Sequence, residues 1–398
     1  MSDQPRLAEL MREAAAALAR REPQRALDLV ADVERAGVRH PDVPYFRATA
    51  FRIMNDPAGA LGAYDAALVI DPYHLPSVLG KGAALDDIGR APEAIAVWRN
   101  ALKMAPSGER LPPLLAALHA RARGRIDDAN NALREYLAAE VEGVKTRYGM
   151  SELKRFNESL EIFSGLARAY NPEPTMLQFP ALPPVSFFDR ALFPWFETLE
   201  AASETITAEL TALMASPAAD AFAPYVLYPP GAPVNQWGEL NHSRRWSSFY
   251  FFNNGARQVE ACRHAPLTAA TLESLPLLKI DNFGPTAMFS SLAPRTRIPP
   301  HTGSTNVRAI VHLPLTLPGP AWFRVGNERR VWSLGQAWAF DDTIEHEAMN
   351  EAEATRVILI CDTWNPFLTA PERELVAAMI MAKGAYQAAT GGRAERFA

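Results

Sequence analysis

Residues 1–165 set Ala, Leu and other apolar side chains at helical spacing between charged ones, and that period predicts consecutive helices. The helices also repeat. Laying "PAGALGAYDAALVIDP" (57–72) on "APEAIAVWRNALKMAP" (91–106) puts Ala60 on Ala94, Tyr64 on Trp98, Ala67 on Ala101, Leu68 on Leu102 and Pro72 on Pro106, every offset being 34. An earlier copy, "PQRALDLVADVE" (23–34), places Ala26 in the same register, and "GRIDDANNALREYL" (124–137) reads as a further copy at about 35. From Tyr170 to Pro184 five prolines interrupt the helical period, which marks a linker. One more amphipathic helix is predicted over 193–213. The period then shortens to that of strands at 245–252, 286–292, 307–317, 321–325, 336–340 and 356–364, separated by Gly, Pro or Asn turns at the spacing of a sandwich or barrel. A helix near 370–388 and a polar tail close the chain. The organisation expected is a helical domain (1–169), a Pro-rich linker (170–185) and a β-rich domain (186–398).

A 34-residue period with small residues where helices approach resembles the tetratricopeptide repeat. That resemblance implies a superhelical stack whose concave face holds an extended peptide, so the expected partner is a peptide or protein substrate bound through the repeats. The charged fraction is 21% and the net charge −5, which offers no broad basic field for nucleic acid or anionic lipid. Neither partner is expected. The start, "MSDQPRLAEL", lacks the basic and apolar stretches of a signal peptide, and no run approaches the roughly 18 apolar residues of a membrane span, so a cytoplasmic location is expected. Two cysteines, Cys262 and Cys361, form no CxxC spacing; a metal would be held by nitrogen and oxygen.

Candidate chemistry sits in the strands. His301 follows two prolines, His346 ends "FDDTIEH", and Arg356 begins the next strand. The two histidines converge only if their strands fold back over one another. The motifs H-T-G-x-T-N (301–306), F-D-D-x-x-E-H-E (340–347) and R-V-x-L-x-x-D-x-W-x-P (356–366) stand in an order that resembles the aspartyl/asparaginyl β-hydroxylase family, over about 180–385.

The resemblance implies a double-stranded β-helix (jelly-roll, cupin-like) oxygenase domain behind the tetratricopeptide-like superhelix. It implies that His301 and His346 bind Fe(II), with Gly303 standing where related oxygenases carry a carboxylate ligand. Arg356 would hold the distal carboxylate of 2-oxoglutarate, with Ser290 beside it and His312 near the other end of the cosubstrate. Arg308 and Trp246 would face substrate. Ile310 stands where some relatives carry a further arginine, and Arg244 and Arg245 either substitute for it or are solvated. Asp342 reads as a solvated turn residue, whereas Asp341 either orients His346 or is solvated as well. The activity implied consumes O2 and 2-oxoglutarate, releases succinate and CO2, and hydroxylates the β-carbon of Asp or Asn in a peptide or protein. Hydroxylation of a small molecule or acyl chain, and a non-catalytic repeat scaffold, are the alternatives.

Overall fold

A computed structural model describes residues 4–105, 111–149 and 153–390. The chain forms two compact units, residues 1–167 and 168–398.

The first unit is helical: α1 (Gln4–Ala19), α2 (Pro23–Arg35), α3 (Asp42–Ile53), α4 (Pro57–Ile70), α5 (Leu75–Asp87), α6 (Ala91–Met104), α7 (Pro113–Lys145) and α8 (Lys154–Ser164). The first six pair into three hairpins, and the 34-residue register is visible in the backbone. Arg21, Asn55 and Gly89 each take a positive φ just before the second helix of a pair, and Pro23, Pro57 and Pro92 each occupy that helix's first turn. Ala26, Ala60 and Ala94, two or three positions past the proline, are fully buried, so the helices meet over a methyl group. Tyr64 and Trp98, equivalent in the repeat, fill the space beneath Gly80 and Gly82 on α5, where any Cβ would strike their rings. Truncating a fully buried Trp such as Trp98 costs about 3–5 kcal/mol. The segment read as a fourth copy differs: 124–137 lies inside the uninterrupted helix α7. No proline and no left-handed residue stands there to turn the chain, and Gly124 is simply carried within the helix. Pro106, predicted to close a repeat, and the polar tail beyond residue 390 lie outside the described residues.

The second unit is built on two antiparallel sheets flanked by helices. Its helices are α9 (Phe196–Ala201), α10 (Ser203–Met214), α11 (Val259–His264), α12 (Pro266–Ser274) and α13 (Ala370–Ala389). Its strands are β1 (Ala223–Pro224), β2 (Trp246–Asn253), β3 (Ala256–Arg257), β4 (Ala287–Leu292), β5 (Thr296–His301), β6 (Arg308–Thr316), β7 (Ala321–Val325), β8 (Glu328–Val331), β9 (Trp338–Phe340), β10 (His346–Asn350) and β11 (Arg356–Trp364). Among the described residues the larger sheet runs β1-β2-β4-β11-β6-β9, with β3 paired to β2, and the smaller runs β5-β10-β7-β8. The predicted helix over 193–213 is two helices that abut at Ala202.

Alternation divides the larger sheet into two faces. Phe249, Phe251, Phe289, Val311, Leu313, Val357 and Leu359 pack outward against Phe196, Leu199, Ile206, Leu210 and Leu272 of the helices. The opposite face meets the smaller sheet, where Trp246, Leu292 and Ile358 share a core with Ile298, Phe323, Val325 and Ala348. Ser290, His312 and Arg356, buried polar residues that alternate with the outward-packed positions of their strands, belong to that second face. The Pro-rich segment lies along this unit: Glu173 N–H donates to the Thr343 carbonyl, Met176 and Leu177 N–H to that of Ser304, and Phe179 N–H to Asn306 Oδ1.

Candidate functional site

His301 and His346 are cross-strand partners at the end of the β5–β10 ladder, and their ring centroids lie 4.1 Å apart. Pairing of the strands thus closes a gap of 45 residues in sequence. Each imidazole is oriented by its own backbone: His301 Nδ1 lies 2.8 Å from the Pro299 carbonyl and His346 Nδ1 lies 3.0 Å from that of Ile344. A carbonyl only accepts, so Nδ1 carries the proton in both rings and Nε2 keeps its lone pair. Burial, followed by the neighbouring His346, pushes His301 down to about 3, and burial pushes His346 down to about 4. Both imidazoles are therefore neutral at pH 7, the form in which nitrogen binds a metal. Glu347, next along β10, points to the other face, where Arg324 Nε donates to it at 2.5 Å and Arg297 Nε at 2.8 Å. These bonds tie β10 to both neighbours.

Arg356 is the most unusual residue of this interior. It is 1% exposed, and its Nε and Nη1 have no hydrogen-bond partner. Its guanidinium lies over the Trp332 ring, 4.6 Å from the centroid, and burial alone lowers it to about 9. A charged group enclosed without a carboxylate carries a large desolvation penalty unless an anion joins it. His312 shares the interior: its centroid is 5.0 Å from Phe323 and 4.9 Å from Phe340, the two rings that also flank His346 at 5.8 and 5.3 Å. Its Nδ1 is unpartnered, and burial, then Arg356 and His346, hold its pKa well below the usual range. Ser290 stands opposite Ile358 on the neighbouring strand, and its hydroxyl accepts the Trp246 indole N–H at 3.1 Å. Trp246 in turn stacks on Tyr225 (4.0 Å), while Trp237 lies 4.9 Å from His301, so an aromatic wall borders the histidines.

Asp342 departs from the sequence reading. It is buried, its Oδ2 accepts Arg308 Nη2 at 2.9 Å, and it is among the charges acting on His301. A Cβ on Gly303 would run into its carboxylate, so the side chain missing at 303 leaves room for one supplied by 342. The turn predicted around Asp341–Asp342 exists, but it is folded inward: Asp341 accepts Thr343 N–H (2.9 Å) and Thr343 Oγ1 (2.6 Å). Asp362, the aspartate of the R-V-x-L-x-x-D-x-W-x-P motif, to which the sequence reading gave no role, lies 3.7 Å from Arg308 Nη1, and burial raises it to about 7 against the pull of Arg308. Arg244 donates to the Asp220 carbonyl and Arg245 to Thr296 and the Arg295 carbonyl, at the margin of the sheet. Trp332, Tyr225 and Trp237 were not foreseen, because an isolated aromatic carries no positional signal until the strands are paired. Cys262 and Cys361 are buried free thiols.

Residues 200–366 match the family described as Aspartyl/Asparaginyl beta-hydroxylase. The aspartyl/asparaginyl beta-hydroxylase of Homo sapiens is 37% identical over 141 residues, 35% of this chain and 18% of that protein. Aspartate beta-hydroxylase domain-containing protein 2 of Rattus norvegicus is 30% identical over 252 residues, 62% of this chain and 70% of that protein. The ornithine lipid ester-linked acyl 2-hydroxylase of Rhizobium tropici is 32% identical over 199 residues, 48% of this chain and 63% of that protein. The chain thus spans 18% of the length of the human hydroxylase it matches. No helix among the described residues is long and apolar enough to cross a membrane.

Proposed function

Because the chain belongs to the aspartyl/asparaginyl β-hydroxylase family, we propose that its second unit is a double-stranded β-helix oxygenase that uses Fe(II), 2-oxoglutarate and O2 to hydroxylate the β-carbon of an Asp or Asn residue. The observation that carries this reading is the enclosed, unpaired guanidinium of Arg356 in the same interior as two facing neutral imidazoles.

The residues present suit these groups. His301 and His346 offer two Nε2 lone pairs fixed in direction by the backbone, and would hold the metal; no cluster of three His, Cys, Asp or Glu ligands stands among the described residues. Iron of this class, when bound, supplies the oxidative decarboxylation of 2-oxoglutarate to succinate and CO2 that is coupled to C–H hydroxylation. The chain's own task is to bind and orient. Arg356 would pair with the distal carboxylate through a two-bond fork, the Ser290 hydroxyl would donate beside it, and His312 Nδ1 would meet the cosubstrate from β6. The Trp246, Trp237 and Tyr225 rings would exclude water and shape the substrate side. The repeats of the first unit would select the peptide or protein that presents the target residue.

A second reading replaces the peptide by an acyl chain. The similarity to the Rhizobium tropici acyl hydroxylase and the aromatic wall favour it. Succinate release tests the chemistry common to both: it should require Fe(II) and 2-oxoglutarate, and His301→Ala or His346→Ala should abolish it. Mass spectrometry of a treated lysate, separating +16 peptides from +16 lipids, distinguishes the two substrates.

A further inference from the structure

We infer, on the reading of the site given above, that the residue oxidised beside Arg308 is uncharged, an asparaginyl carboxamide and not an aspartyl carboxylate. Arg308, Ile310 and His312 alternate along the same face of β6 toward the interior that holds the histidines. On that reading Arg308 is the cation at the substrate end of that row; two carboxyl groups already face it, while its buried Nε has no hydrogen-bond partner. Its Nη2 donates to Asp342 at 2.9 Å and its Nη1 lies 3.7 Å from Asp362, with side-chain exposures of 13, 7 and 1%. One guanidinium faces two carboxyl groups, of which burial raises Asp362 to about 7, so no positive charge is left over for a further carboxylate.

An incoming carboxylate that took the free Nε would crowd a further negative charge against Asp342 and Asp362, and one that took Nη2 would leave the buried Asp342 uncompensated. A carboxamide meets neither obstacle. It accepts from a guanidinium through its oxygen and donates through its NH2 to carboxylate oxygens. Asp342 Oδ1 and Asp362 Oδ2 are both buried oxygens without a hydrogen-bond partner, and a carboxylate has nothing to donate to them. Ile310 stands opposite Asp362 in the β6–β11 ladder and contributes methyl groups, not charge. Arg356 cannot serve instead: it lies six residues along β11 from Asp362, roughly 20 Å at the rise of a strand.

The test uses the full chain with Fe(II) and 2-oxoglutarate and two peptide libraries that differ only in a central Asn or Asp. The central Asn should be hydroxylated at least tenfold faster, read as +16 by mass spectrometry. Asp362→Asn keeps an oxygen for the Thr286 N–H that Asp362 accepts at 3.0 Å while removing a charge, and should narrow the ratio at least threefold. Binding is read apart from turnover by saturation-transfer NMR on the metal-free chain, where N-acetyl-asparagine N-methylamide should give the stronger transfer and its aspartate counterpart the weaker. Equal or faster hydroxylation of the Asp library overturns the inference, as does stronger transfer to the aspartate probe. Modification of neither library, with 2-oxoglutarate still consumed, also overturns it and leaves the oxygenase reading standing. Loss of 2-oxoglutarate consumption as well removes both.

Discussion

Gly303 and Asp342 share one volume: the glycine's missing side chain is replaced in space by the Asp342 carboxylate, and Gly303 N–H donates to the Asp342 backbone carbonyl at 2.6 Å. Gly303→Ala should therefore destabilise the second unit by about 1–3 kcal/mol, the usual range for overpacking. In an Asp342→Ala background the same substitution should cost less, because the obstructing atoms are gone. Urea unfolding of the four proteins in the cycle measures the coupling. A Gly303→Asp variant should be worse than Gly303→Ala, since a second carboxylate would be forced against the first, and should gain no activity.

Arg356 pays a stability penalty that a non-polar residue would remove. Arg356→Met should raise the stability of the ligand-free protein by about 1–4 kcal/mol, the range seen when buried charges give way to apolar side chains. The same variant should lose 2-oxoglutarate-dependent succinate release. Thermal unfolding without cosubstrate checks the first expectation and a succinate assay the second.

The histidine pair gives a pH dependence with a definite sign. Folded-state values of about 3 and 4 lie below the ordinary value of 6.5, so the unfolded chain binds more protons as pH falls. The stability concerned is present above pH 6.5 and lost as pH falls toward 4. Two protons allow a slope of at most roughly 2.7 kcal/mol per pH unit. His301→Asn with His346→Asn should flatten the dependence between pH 6.5 and 4.5. Urea unfolding of the metal-free proteins at three pH values measures it.

The helical unit makes a separate prediction. Gly80→Ala and Gly82→Ala each place a methyl group against a buried ring, Tyr64 or Trp98, and should lower the stability of that unit despite the roughly 1 kcal/mol that Ala gains over Gly in a helix. Uncoupled succinate release should be unchanged in both variants. Circular dichroism during thermal unfolding, followed beside the succinate assay, separates the two effects.

The sequence shows the repeat because its signals are local: a positive-φ residue (Arg21, Asn55, Gly89) and a buried alanine (Ala26, Ala60, Ala94) recur every 34 residues, with a proline two or three positions after the first. Strands such as β7 and β11 were legible from β-branched and aromatic runs at their true bounds. Strand β5 was hidden by Pro299 and Pro300, which it tolerates as an edge strand with one side free of ladder bonds. Strand β10, "HEAMN", was hidden because its polar residues face an ion-pair network on one side and the site on the other. The motifs located His301, His346 and Arg356, but pairing information lies between strands and not along them. For that reason Asp342 read as solvated, and the Arg308–Asp342–Asp362 cluster stayed invisible until β6, β9 and β11 were set side by side.

The central claim is that the histidine pair and Arg356 form one site for 2-oxoglutarate. Calorimetric titration of 2-oxoglutarate into the full chain loaded with Mn(II), a redox-silent substitute for Fe(II), tests it most directly. The account predicts one equivalent bound, affinity at least a hundredfold weaker in Arg356→Ala, and no binding in the His301→Ala/His346→Ala double variant. Binding of equal affinity in all three proteins, or none in the wild type, would contradict it.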